Sequence, residues 1–154
     1  MTERVDFYVL RSAAGRQRWS FACRLAEKIQ LRDLRAVILA ATDEDARELD
    51  TLLWTFSDRS FVPHALCGAD GAADPATPVH LTANAELAPT ADVLLNLSDR
   101  MPPGTERFAR IAEIVDGDEG TRTRARERFK AYREMRVPVQ THMLGDGDGG
   151  GEDG

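Results

Sequence analysis

The run "AVILAA", residues 36–41, sets six apolar residues side by side with no polar interruption. A strand with one solvated face alternates apolar and polar residues, so an unbroken run of this kind fits a strand buried on both faces. What precedes and follows it agrees. "RVDFYVL" reads as a short strand of β-branched and aromatic residues, closed by the polar "RSAAG". From about residue 16 to 31, Phe21, Ala22, Leu25, Ala26 and Ile29 recur at helical spacing. After the run, Thr42 is placed to cap a second helix. Asp43, Glu44 and Asp45 crowd its first turn, where acids favour the helix dipole. Strand, helix, strand, helix in that order predicts an α/β layered sheet with right-handed crossovers.

Downstream the pattern is less regular. Pro63 denies "SFVPHAL" a central-strand role and leaves it as an irregular extended piece. Residues 68–78 form a Gly/Ala/Asp/Pro loop, "PVHL" and "DVLLNL" read as strands, and "VPVQTHM" as a final edge strand. Residues 108–116, "FARIAEIVD", fit helix or strand and are assigned to strand. One domain, residues 1–144, accounts for all of this in a chain of 154 residues. Residues 145–154, "GDGDGGGEDG", hold four acids and no bases, so they carry −4 of the net −6 and leave −2 on the domain. Such a segment can bury nothing, and disorder is expected there.

Composition removes several classes of function. A net charge of −6 argues against a general nucleic-acid binder. No apolar run reaches membrane-spanning length. "MTERVDFYVL" has no signal-peptide pattern, and Cys23 and Cys67 are too few for a disulfide framework, so a reduced cytoplasmic protein is expected. "RSAAGRQRWS" contains no phosphate-loop or dinucleotide fingerprint. His64, His80 and His142 are scattered, and His64 with Cys67 makes only half of a zinc site. No Gly-x-Ser-x-Gly elbow occurs. No catalytic residue, metal or cofactor is expected.

Two features read as docking surfaces. Trp54 falls about 140° from Leu49 on a helical wheel, outside the stripe of Ala46, Leu49, Leu52, Leu53 and Phe56. It precedes Phe61, Val62 and Pro63. Either these form a protein-binding hot spot, or the loop folds back and covers the tryptophan. The second feature is "GTRTRARERFKAYREM", residues 120–135, which gathers Arg122, Arg124, Arg126, Arg128, Lys130 and Arg133 against Glu127 and Glu134 alone. Arg122, Arg126, Phe129, Arg133 and Arg136 fall within about 80° of one another on a helix, with Ala125, Tyr132 and Met135 to one side facing the core. Arginines around one aromatic suit a short acidic peptide with an apolar end better than bases, which call for several stacking aromatics. A merely solvated charged face and a direct nucleic-acid contact through the same helix are the competing readings.

"DEDARELDTLLWTFSDRSFVPHAL" and "RARERFKAYR", with "DFYVL", "AVILAA", "ADVLLNLSD" and "EIVD" in the same order, resemble the chi subunit family of bacterial DNA polymerase III. The resemblance implies a three-layer α/β/α sandwich with a mostly parallel or mixed sheet, of nucleotide-binding topology but without a phosphate loop. It implies a non-catalytic replication subunit with two protein partners. One is the psi subunit, which leads to the clamp loader. The other is the acidic C-terminal tail of single-stranded DNA-binding protein (SSB), ending in Pro-Phe, through which single-stranded DNA is reached indirectly. The implied tail-binding residues are Arg122, Arg126 and Phe129, joined by Lys130 and Arg133 on the same helix. Trp54, Phe61, Val62, Pro63 and His64 fall in the region implied to meet psi. Neither membrane contact nor self-association is expected.

Overall fold

The computed structural model describes residues 2–11, 15–57, 61–67 and 76–144. Most of the loop expected at 68–78, part of the "RSAAG" turn and the acidic segment 145–154 lie outside the described residues.

Seven strands and three α-helices follow in the order β1 (Arg4–Leu10), α1 (Gly15–Leu31), β2 (Ala36–Leu39), α2 (Asp43–Thr55), β3 (His64–Leu66), β4 (Val79–Thr82), β5 (Ala91–Asn96), β6 (Phe108–Val115), α3 (Glu119–Glu134) and β7 (Val139–Leu144). Short 3-10 turns at Ala85–Leu87 and Thr105–Arg107 precede β5 and β6. The strands form one sheet in the order β3-β4-β2-β5-β6-β1-β7, and every pairing is parallel. The chain is therefore an α/β sandwich around a parallel sheet.

The unbroken apolar run earns its place in the middle. Ala36, Val37, Ile38 and Leu39 are all buried, with side chains entering two separate cores. On one face, Phe21, Ala22 and Ala26 of α1 and Ala46, Leu49 and Leu53 of α2 pack on Tyr8, Ile38, Leu81, Leu95 and Ile114. On the other, Ala125 and Tyr132 of α3 meet Phe7, Leu94, Phe108, Ile111 and Val115. Adjacent residues Phe7 and Tyr8 feed opposite cores, as period-two side chains must.

The helix termini follow from local chemistry. Thr42 Oγ1 accepts from the Asp45 amide at 3.0 Å, and an Asp118 carboxylate oxygen accepts from the Thr121 amide at 2.9 Å. The latter bond, with a second from the Thr121 hydroxyl, holds the Asp118 carboxyl below its ordinary pKa. Helix α3 closes with the Arg136 amide donating to Arg133 and the Val137 amide to Tyr132. This is a Schellman ending, with Arg136 in the left-handed region at φ 64° where glycine is usual.

Residues 108–115 are strand, and "VPVQTHM" does supply an edge strand, β7. The piece after Pro63 pairs at the opposite edge as β3, the place a proline-led segment tolerates. Two expectations about α3 need correction. Met135 is 49% exposed instead of facing the core, because it caps the last turn where the helix leaves the sheet. Arg136 turns out of the helix and so does not extend the stripe.

Candidate functional site

Helix α3 follows β6 and returns to β7 at the sheet edge, passing over β1. Between its outward side and the sheet lies a hollow of about 340 Å³, lined by Phe7 and Val9 of β1, Val115 of β6, Thr141 of β7 and Arg122, Ala125, Arg126, Phe129 and Lys130 of α3. Its floor is apolar and its rim cationic. Four of the five expected tail-binding residues, Arg122, Arg126, Phe129 and Lys130, border this one space. Arg133, the fifth, borders a neighbouring depression with Arg136, Val137, Pro138 and Val139, and Phe129 lies between the two.

The rim cations differ in how they are held. Arg122 donates from Nε to the Asp116 carbonyl at 3.2 Å and from Nη2 to the Leu10 carbonyl at 3.3 Å, so its guanidinium is fixed over the ends of β6 and β1. Arg126 and Lys130 are exposed, and among the described residues neither has an acidic partner. The Arg133 guanidinium lies 5.9 Å from the centre of the Phe129 ring, a cation–π arrangement. Phe129 is not a free aromatic standing in solvent: it is half-buried and packs on Phe7 with ring centres 5.4 Å apart. Its exposed part completes the floor.

Two of the arginines counted in the segment are spoken for. Arg124 reaches Asp99 at 3.8 Å. Arg128 points inward, with its side chain 4% exposed, and donates from Nε to Glu113 Oε1 at 3.0 Å. Glu113 Oε2 also accepts from the Tyr132 hydroxyl at 2.7 Å and the Asn96 amide at 2.9 Å. Complete burial pushes the Glu113 carboxyl up from its ordinary pKa, against the pull of Arg128, Asn96 and Tyr132. The network bolts α3 to β5 and β6 and so fixes which side of the helix faces the hollow. Nothing local marked Glu113 as the partner; its sequence neighbours in "FARIAEIVD" only show that it sits in a strand.

A smaller space, about 50 Å³ between α1 and the sheet, is bordered by Asp6, Lys28, Arg32 and Arg110. There the central acid is already engaged: Arg4, Arg110 and His142 all bond to Asp6 at about 3 Å. Burial raises the Asp6 carboxyl, but those three partners outweigh it and bring its pKa below the ordinary value.

At the β3 edge, Trp54 is 54% exposed and Phe61 65% exposed, with ring centres 5.5 Å apart. The covering loop envisaged for Trp54 does not form among the described residues. The His64 ring lies 4.6 Å from Trp54, and its nitrogens face oxygens of Val62 at 2.6 Å and Asp50 at 3.2 Å. His64 therefore buttresses the tryptophan instead of meeting solvent with its side chain. Val62, 1% exposed, is a core residue, and Pro63 is half-buried. Leu66 at the end of β3 is also exposed, which "HAL" does not mark in the sequence.

The patch lies at the β3 edge and the hollow across β6, β1 and β7 towards the other edge, with β1 five strand spacings or about 24 Å from β3. Among the described residues no group of three His, Cys, Asp or Glu side chains is placed to hold a metal, and no helix is long and apolar enough to cross a membrane.

Comparison with known proteins identifies the family. The family model for the DNA polymerase III chi subunit, HolC, matches residues 1–140. The chain is 38% identical over 141 residues to the DNA polymerase III subunit chi of Pseudomonas aeruginosa, an alignment covering 92% of this chain and 96% of that protein. It is 29% identical over 146 residues to the subunit of the same name from Haemophilus influenzae, covering 94% and 100% of the two chains. With the Escherichia coli subunit it shares 32% over 113 residues, covering 72% and 75%. The chain thus belongs to the DNA polymerase III chi subunit family.

Proposed function

We propose that this chi subunit is a non-catalytic connector, in which the α3 hollow takes the acidic C-terminal tail of SSB and the Trp54 patch takes the psi subunit of the clamp loader. The observation that carries the first half is the pairing of an apolar floor with rim cations that have no acidic partner among the described residues. An acidic peptide ending in an aromatic has both complements: carboxylates for Arg122, Arg126 and Lys130, and a ring for the space beside Phe129 and Phe7. Nucleic acid would use the rim and leave the floor empty.

The exposed Trp54–Phe61 pair supports the second half, since clustered aromatics of this kind supply most of the energy in a protein interface. The separation of about 24 Å lets the chain hold both partners at once and so tie the clamp loader to SSB-coated template. The test is binding to SSB with and without its C-terminal tail, in the absence of DNA. Binding that disappears with the tail supports the connector. Binding that persists without the tail, or appears only with DNA, favours direct nucleic-acid contact through α3.

A further inference from the structure

The described residues end at Leu144, close to the hollow. Leu144, the last residue of β7, pairs with Leu10 of β1, and the Leu10 carbonyl is the one that accepts from Arg122 Nη2. Leu144, to which the acidic segment 145–154 is joined, therefore lies about one strand spacing, roughly 5 Å, from the backbone that anchors the first rim arginine. Thr141, three residues earlier, already lines the hollow. Ten residues span up to about 35 Å when extended, and the rim lies well inside that radius.

Charge complements position. Residues 145–154 carry Asp146, Asp148, Glu152 and Asp153 with no base among them. Across the way, Arg126 and Lys130 have no acidic partner among the described residues, and Arg133 has only the Phe129 ring. The residues that line the hollow, from Phe7 to Thr141, all precede the segment.

We infer that residues 145–154 dock on the Arg122–Arg126–Lys130 rim of their own chain and compete there with incoming acidic peptides. The segment has no aromatic, proline or aliphatic side chain. It covers the rim and leaves the floor unfilled, so a peptide with an apolar end displaces it. A tether this short gives an effective concentration on the order of a millimolar. With a dissociation constant of similar size for a purely electrostatic contact, apparent affinity for a competitor falls by about two- to fivefold. The inference rests on the hollow being an acidic-peptide site but not on SSB supplying the peptide.

The test keeps the full chain and neutralises the segment with Asp146→Asn, Asp148→Asn, Glu152→Gln and Asp153→Asn together. Backbone amide spectra of the two proteins are compared without any partner, at about 0.01 M and about 1 M salt, where screening lengths are roughly 30 and 3 Å. Differences at low salt along residues 122–133 and at the bordering positions of β1 and β7, fading at high salt, are expected. Superimposable spectra over α3 at low salt overturn the inference. A second arm titrates both proteins with an SSB-tail peptide. The neutralised chain binds about two- to fivefold more tightly at low salt and equally at high salt. Equal affinity at low salt overturns the competition. Spectral differences together with no peptide binding leave the self-contact standing and remove SSB as the partner.

Discussion

Arg126 and Arg128 stand two residues apart on α3 and do opposite things. Arg128 is buried and bonded to Glu113, while Arg126 is exposed on the rim of an apolar hollow with no acidic partner among the described residues. The charge a helix carries is therefore not the charge it shows. What separates the two is whether a strand residue across the interface supplies a carboxylate. Arg128 holds α3 in place, and in doing so it aims Arg126, Lys130 and Phe129 outward together. The Asp6 cluster repeats the lesson on the opposite face of the sheet, where Arg4 and Arg110 surround an acid and so are not available to a ligand in the way the rim cations are.

The sharpest way to break the comparison is to remove the inward arginine. Arg128→Ala leaves Glu113 buried without its counter-charge and should cost about 3–5 kcal/mol of stability, read as a large fall in Tm. A loss of less than about 1 kcal/mol would mean that Arg128 is no anchor. Phe129→Ala comes next. Half of the ring packs on Phe7, so the variant should lose on the order of 2 kcal/mol, below the 3–5 of a fully buried phenylalanine. It should also lose affinity for the tail peptide. Weakened binding at full stability would show that the ring serves the ligand alone.

Acid sharpens the contrast between engaged and unengaged charges. The Asp6 carboxyl titrates below its ordinary value in the folded state, so it contributes stability above the unfolded pKa, near 3.9. That contribution disappears as pH falls through the lowered folded value. Denaturant midpoints measured from pH 6 downward should decline in that window, and Asp6→Asn should flatten the decline. An unaltered profile would remove Asp6 from the account. The smallest effect belongs to Trp54→Ala. With its ring largely exposed, stability should change by no more than about 0.5–1 kcal/mol, while psi capture is lost and SSB-tail affinity stays the same. A large drop in Tm would mean that Trp54 is packed within this chain.

How much of this was legible in the sequence varies with the range of the interaction. The doubly buried β2 and the capped α2 are local: an unbroken apolar run and a Thr-led acidic turn are sufficient. The stripe on α3 is local too, because Arg122, Arg126 and Phe129 share a face by spacing alone. The strand order, with β1 in contact with β6 and β7, is not local, and neither is the hollow, whose floor comes from three strands. Spacing leaves Arg128 off that stripe but does not show what it meets, because Glu113, fifteen residues upstream, becomes its partner only when α3 lies across β6. Val62 and His64 were grouped with Trp54 by sequence proximity. The turn into β3 instead sends Val62 to the core and sets His64 between Trp54 and the Asp50 backbone.

The most direct test of the central claim, that the outward face of α3 is an acidic-peptide site, is calorimetric titration of an SSB-tail peptide into the native protein and Arg126→Ala, with melting curves on both. One well-made charge-assisted contact is worth roughly 1.5–3 kcal/mol, so Arg126→Ala should bind about tenfold or more weakly while its Tm stays at the native value. Undiminished affinity in Arg126→Ala, at unchanged Tm, would contradict the account.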